Sequence, residues 1–443
     1  MASRSEEIRA HRFATRRLLG AIVGGRAGAD TPRRTGVGVG LGFLAAVVSL
    51  GVAAVVAVVA PAAGQWRRPD AVIVERETGA RYVYRDSTLY PVLNYASARL
   101  VLGSPTPPVV LASRHDLAGT ARGAPLGIAG APDSLPAPSD LLTGGWSVCS
   151  SGAPVSGSVV LGAPVAGEGL GDGALLVRAG GTDYLVWHGH RARVDRPAVV
   201  LAGLGWAARV PQPVAPALVN ALPAGSPLAP IVVDHRGARS SVQGLPVGTV
   251  VTTDNAQRTH SYAVVLAGGL AALTPVQADI LLSDADTPGD GSAMRVTERT
   301  FAHVTAVLPG MSDWPATTPR LVSAATGVCA VLTSGAPGDG TAVQPARQIV
   351  VGSPAVPAGM PPVRVPPGRG ALVRAAAPAG ADPASAAECL LTDSGSCFPV
   401  ADAQALASLG YAGAPVAVLP AEVKALLPGG VTLSRDAAAR GLA

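Results

Sequence analysis

Apolar positions along this chain follow two rhythms, and the switch from one to the other recurs. The runs "AVIVE" and "RYVYR" flank "RETGA", the pattern of two short strands about a turn, and "ALLVRAGGTDYLVWHGHRARV" at 174–194 has the same character. Elsewhere small or branched apolar residues fall three and four apart, as on a helix with one buried face. Four such pieces stand out: "YPVLNYASARLVL" (90–102), "PVAPALVNAL" (213–222), "LTPVQADILL" (273–282) and "LPAEVKALL" (419–427). A proline starts or precedes each, which suits the first helical position. The text itself repeats, since "YVYRDSTLYPVLNYASARLVLG" (82–103) returns in looser form as "YAVVLAGGLAALTPVQADILLS" (262–283). The expected unit is a β-hairpin plus a helix, in four copies near 70–103, 174–222, 245–283 and 388–430. Their uneven spacing excludes a regular solenoid. The segments between them, about 104–180 and 284–390, supply a separate core or act as insertions.

The strongest local signal is a different one. No charge interrupts residues 35–65, and Gly36–Ala60, with Phe43 and Leu50 in its body, is long enough for one membrane-spanning helix. Arginines, among them Arg16, Arg17, Arg33 and Arg34, crowd its N-terminal side. The positive-inside rule then places residues 1–34 in the cytoplasm and residues 66–443 outside, with Trp66 as an anchor at the outer interface. A cleaved export signal is the competing reading, prompted by "TRRLLG" at 15–20, but the apolar run is too long for it. Glycines at 36, 38, 40 and 42 contain two overlapping G-x-x-x-G spacings, which favour close helix approach. Ser5–Val23 has the mix of an amphipathic helix or of a basic tail that sets topology.

Charge narrows the function. The net charge of +5 is the balance of residues 1–34, eight arginines against three acids, so the remainder is neutral in sum. That excludes a nucleic-acid binder, which needs a basic face on its folded part. Lys424 is the chain's lone lysine, inside a helical pattern with no glycine before it, so there is no P-loop. His188 and His190 in "VWHGHR" fit the tip of a hairpin better than a metal site, since a third ligand is missing. Asp284, Asp286 and Asp290 suggest a calcium loop, but its twelfth position is Arg295 where glutamate is needed. No catalytic, metal-binding or cofactor-binding residue emerges. Four cysteines, Cys149, Cys329, Cys389 and Cys397, lie in the outer part and allow three pairings. Cys389 and Cys397 flank "TDSGS", a hairpin turn across which they could pair. That leaves Cys149 with Cys329, a long closure worth roughly 4–5 kcal/mol in the chain-entropy account.

Several long blocks, in order, resemble the EccB family of the actinobacterial type VII (ESX) secretion system: "DSTLYPVLNYASARLVLG", "RGAPLGIAGAPDSLPAPSDLLTGGWSVC" (122–149), "PVAPALVNALPAGSPLAPI" (213–231), "GLAALTPVQADILL" (269–282) and "LLTDSGSCFPV" (390–400). The N-terminal "HRFATRRLLGAI" and "ADTPRR" are similar to that family's cytoplasmic start. The resemblance implies a mixed, β-rich α+β fold, with one N-terminal transmembrane helix and an elongated periplasmic part in which four repeat domains surround a central β core. It implies a structural role in a hexameric inner-membrane machine with EccC, EccD and EccE, which exports WXG100-type proteins. By position Cys149 and Cys329 match the family's disulfide, while Cys389 and Cys397 look like an addition, "CF" replacing the tyrosine usual before "PV". The ATPase activity attributed to some members has no motif here. Two alternatives remain on the residues alone: an anchored peptidoglycan-binding protein, and an ATPase of another design.

Overall fold

The computed structural model describes residues 66–151, 155–254, 260–302, 304–323, 327–332, 348–352, 362–377 and 387–440. The expected span and the arginines before it lie outside these residues. Among the described residues no helix is long and apolar enough to cross a membrane.

The fold is mixed and β-rich, and one topology is written four times. In the first unit β1 (Val72–Glu75), β2 (Arg81–Arg85) and β3 (Thr88–Val92) form an antiparallel meander. Helix α1 (Tyr95–Leu102) then leads to β4 (Val109–Ala112), parallel to β1, and α2 (Arg114–Leu117) leads to β5 (Ala121–Arg122), parallel to β3. Local chemistry sets these junctions. Asp86 and Ser87, both at positive φ, make the two-residue turn between β2 and β3, the turn type whose twist matches that of the strands. The Asn94 side chain accepts a hydrogen bond from the Ser97 N–H to start α1, and Gly103 at φ 63° ends it.

Three strands of a different sheet follow: β6 (Trp146–Ser151), β7 (Ser156–Leu161) and β8 (Glu168–Gly169). The second unit then runs β9 (Ala174–Ala179), β10 (Thr182–Trp187), β11 (His190–Arg193), α3 (Pro197–Gly203), β12 (Gln212–Pro213) and α4 (Pro216–Asn220). Its fifth strand is reduced to parallel bridges, Arg191 to Ala224 and Val194 to Leu228. The third unit has all its parts: β13 (Val250–Asp254), β14 (His260–Leu266), β15 (Gly269–Leu273), α5 (Pro275–Leu282), β16 (Met294–Arg295), α6 (Glu298–Phe301) and β17 (Val304–Val307). Its strand order, β16-β13-β14-β15-β17, matches β4-β1-β2-β3-β5. Strands β18 (Gly327–Leu332), β19 (Gln348–Val351) and β20 (Val363–Arg364) complete the other sheet in the order β20-β7-β6-β18-β19-β8. The fourth unit is β21 (Ala371–Ala375), β22 (Cys389–Leu391), β23 (Cys397–Pro399), α7 (Ala403–Ser408), β24 (Val416–Leu419) and α8 (Ala421–Lys424), closed by bridges from Cys397 to Gly429 and Val400 to Leu433. Helix α9 (Arg435–Ala439) follows.

The hairpin-plus-helix unit is therefore only half of what repeats. The pieces at 90–102 and 273–282 contain first helices, α1 and α5, whereas those at 213–222 and 419–427 contain second helices, α4 and α8. Proline opens helices of both kinds, at Pro197, Pro216 and Pro275, so the start signal cannot tell them apart. Tyr90, Pro91 and Val92, expected in a helix, finish β3.

Burial shows how the units meet. All six residues of β6 are buried. On one face Trp146, Val148 and Ala330 pack with Leu218 of α4 in the second unit and with Val373 and Val423 of the fourth. The second and third units share a cluster around Val200, Val276 and Ile280, and the first and fourth share one around Ala98, Leu100, Ala405 and Tyr411. Units two and four thus sit on the central sheet, while three packs on two and one packs on four.

Both disulfides are formed. Cys149 and Cys329 face each other across β6 and β18, 4.0 Å between Cα atoms and 180 residues apart in sequence. Cys389 and Cys397 join β22 to β23, 5.5 Å between Cα atoms and 8 residues apart.

Candidate functional site

Several of the polar groups singled out in the sequence, among them His188, Asp284 and Asp290, are engaged by the fold. His188 and Gly189, both at positive φ, form the two-residue turn between β10 and β11. The His188 imidazole stacks on Trp187 and meets Asp172 at 3.1 Å. Asp284, 5% exposed, accepts a hydrogen bond from Arg236 at 3.2 Å and has Arg196 at 4.0 Å. Two guanidiniums neutralise that carboxylate, which is the opposite of what a cation would need. Asp290 instead accepts hydrogen bonds from the N–H and hydroxyl of Ser292. Among the described residues no three His, Cys, Asp or Glu side chains are grouped to hold a metal ion. Lys424 ends the four-residue helix α8.

Trp66, expected at the outer membrane interface, is 4% exposed. Its ring lies edge-on to Tyr84 at 5.4 Å, within a cluster of Ile73, Tyr82, Leu89 and Leu117 that closes the outer face of the first sheet. The indole is occupied by the fold, and Arg67 and Arg68 are the exposed groups where the chain enters it.

What the molecule does present is surface shaped for contact. A groove of about 250 Å³ between the second and third units is lined by Pro227, Pro230, Ile231, Leu308, Met311 and Trp314, with Val232 83% exposed on its rim. Beside it a smaller cleft is walled by Trp187, His190 and Asp313. Burial pushes the Asp313 carboxyl up, but the backbone N–H and hydroxyl of Ser226 outweigh it and hold the group below the ordinary aspartate value. The groove went unseen in the sequence because "LPGMSDWP" is a Pro- and Gly-punctuated loop with no periodicity to announce a wall.

The family model described as "Type VII secretion system ESX-1, transport TM domain B" matches residues 2–442. The chain belongs to the EccB family. Among curated members of that family, the protein named ESX-3 secretion system ATPase EccB3 of Mycobacterium tuberculosis (strain ATCC 25618 / H37Rv) is 36% identical over 236 residues, 48% of this chain and 44% of that one. ESX-5 secretion system ATPase EccB5 of the same strain is 33% identical over 255 residues, 53% of this chain and 50% of that one. The chain thus spans about half the length of the curated relatives it matches. Similarity in structure runs further. A chain of an intact ESX-5 inner membrane complex superposes with TM-score 0.70 and 26% identity over 100% of this chain and 96% of its own. A chain of the EccB3 dimer from the ESX-3 core complex gives 0.65 and 27%, over 84% of this chain and 100% of its own. The word ATPase in the EccB relatives' names has no counterpart in a phosphate-binding motif of this sequence.

Proposed function

We propose that this chain is a structural and assembly component of a type VII (ESX) secretion complex of the inner membrane. One N-terminal span, Gly36–Ala60, anchors it, residues 1–34 face the cytoplasm, and the four units and their central sheet stand on the outer side. The observation that carries this reading is the whole-chain likeness to a subunit of an intact ESX-5 inner membrane complex. The absence of a P-loop from the sequence and the outward location of two disulfides favour a scaffold over an ATPase. Its partners are EccC, EccD, EccE and further copies of itself in a hexameric assembly, through which WXG100-type proteins leave the cell. The test is affinity purification of the tagged chain from its native membrane in mild detergent, with mass spectrometry and native sizing. Recovery of EccC, EccD and EccE in one large particle is the expected result. Recovery of the chain alone, or with wall fragments only, overturns it.

A further inference from the structure

We propose that edge strand β4 and the arginines around it form a lipid-binding face, which lays the first unit against the outer leaflet of an anionic membrane. The proposal rests on the single-span reading above. It starts from connectivity: six residue steps separate Ala60, the end of the apolar run, from Trp66, at most about 20 Å of extended chain. The first unit begins at that point, so of the four units it is tied closest to the bilayer.

The second observation is an apolar strip with nothing over it. Val109 is 56% exposed and Leu111 49% exposed, two residues apart and so on one face of β4. In the parallel register Val109 stands beside Val72 and Leu111 beside Val74, yet Val72 is fully buried under α1. The cover of the helix stops one strand short of the edge. Uncovered apolar edges are a liability that folded proteins ordinarily avoid. The three equivalent strands carry no such pair: β12 is Gln212–Pro213, β16 is Met294–Arg295 with Met294 alone 45% exposed, and Val416 and Val418 of β24 are half-buried. The first unit alone exposes two apolar side chains on one face of that strand, and it is the unit that follows the apolar run in sequence.

Charge supplies the third observation. Residues 66–122 hold eight arginines against five acidic residues, net +3, while residues 123–443 are net negative. Exposed arginines bracket the strip, Arg67 and Arg68 ahead of β1, and Arg76 and Arg114 beyond the far ends of β1 and β4. Arg68 is paired with Asp70 at 2.8 Å and Arg114 with Glu75 at 3.0 Å, and both guanidiniums keep further donors free for phosphate. Arg67 lies over the Trp66 ring at 4.6 Å, and Arg76 acts on the Asp116 carboxylate through space, a contact that leaves its hydrogen-bond donors for phosphate. Guanidinium groups at the level of phosphates with branched apolar side chains between them is the chemistry of an interfacial lipid contact. A second copy pairing edge to edge through β4 would instead bring two basic faces together, on a strand of only four residues entered through Pro107 and Pro108.

The test uses the full-length chain in nanodiscs of phosphatidylcholine and phosphatidylglycerol. All four cysteines are in disulfides, so one introduced thiol takes a nitroxide label. Labels go at Leu111→Cys, at Val210→Cys, which is 87% exposed in the second unit, and at Ala53→Cys inside the proposed span. At 111 relaxation by oxygen should exceed relaxation by a water-soluble nickel chelate, with the order reversed at 210. Replacing the anionic lipid by phosphatidylcholine, or introducing Arg67→Glu with Arg76→Glu, should shrink the oxygen excess at 111 several-fold. The proposal is overturned if nickel dominates at 111 while 53 still reads lipid, if the lipid and arginine changes leave 111 unmoved, or if spin–spin broadening at 111 reports a neighbouring copy. A water-like signal at 53 would instead overturn the single-span reading itself.

Discussion

Glu75 shows how one side chain ties together a unit that local pattern describes only as two strands and a turn. Its carboxylate, 4% exposed, accepts hydrogen bonds from Arg114 at 3.0 Å and from the Tyr82 hydroxyl at 3.2 Å, and Arg122 donates to that same hydroxyl at 3.0 Å. Strands β1 and β2, helix α2 and strand β5 are joined through this one group. The bond from Arg114 is the largest influence on the carboxyl and, against the cost of burial, holds it below the ordinary glutamate value. The folded chain therefore holds this proton less tightly than the unfolded chain. The stabilisation is complete above the ordinary value and is lost as the pH falls through it and through the lowered folded value. Urea midpoints of wild type and Glu75→Gln should converge as the pH is lowered from 7 toward 3; a constant difference over that range would mean the carboxylate's charge plays no part. Tyr411 makes the matching point without charge. Fully buried, its hydroxyl donates to the Pro136 carbonyl at 2.8 Å, and burial keeps the phenol protonated by raising its pKa. Tyr411→Phe leaves that carbonyl unpaired and should cost about 1–2 kcal/mol in chemical denaturation. Neither network was legible in the sequence, since Glu75 reads as the polar end of "AVIVE", and Tyr411 and Pro136 are 275 residues apart.

At the scale of elements, signals that depend on neighbours in the chain were readable and those that depend on neighbours in space were not. Hairpins announced themselves through turn residues, and α5 through its proline, to which the structure adds the capping box of Thr274 and Gln277. Of the fourth and fifth strands, those of two residues, such as Gln212–Pro213 and Ala121–Arg122, cannot show alternation, and β4, β17 and β24 have only four residues each. They form because β1, β3, β9 and their counterparts offer a free edge once the helices have turned the chain back. Packing between units hinges on one glycine. Helices α3 and α5 cross so closely that a Cβ at Gly203 would stand 2.6 Å from Ile280 Cα, a backbone atom that cannot swing aside. Gly203→Ala should therefore force the second and third units apart. We expect a loss of about 1–3 kcal/mol, the usual cost of overpacking, with amide exchange accelerated in α3 and α5 but not in α1. An unchanged exchange pattern would show that the two helices can slide without penalty.

For the whole molecule, the central sheet decides what the disulfides do. Strands β6 and β18 come from opposite sides of the second and third units, so the Cys149–Cys329 bond closes a loop containing both of them. Cys389–Cys397 closes one hairpin of the fourth unit. In the chain-entropy account a closure of 180 residues is worth roughly 5 kcal/mol and one of 8 residues roughly 2–3 kcal/mol. Their pairing was open to sequence reasoning through the "TDSGS" turn, but their placement was not. The larger bond bridges the two strands at the middle of the six-stranded sheet, with Cys329 1% exposed, and the smaller lies in the cluster where the fourth unit meets that sheet. Replacing Cys149 and Cys329 by Ala should thus lower the denaturant midpoint more than replacing Cys389 and Cys397. It should also broaden the transition, as units two and three gain freedom to melt apart from the rest. Removal of the smaller pair should leave the transition equally steep. The reverse order would mean that packing of the fourth unit, rather than restraint of the unfolded chain, is what these bonds chiefly secure.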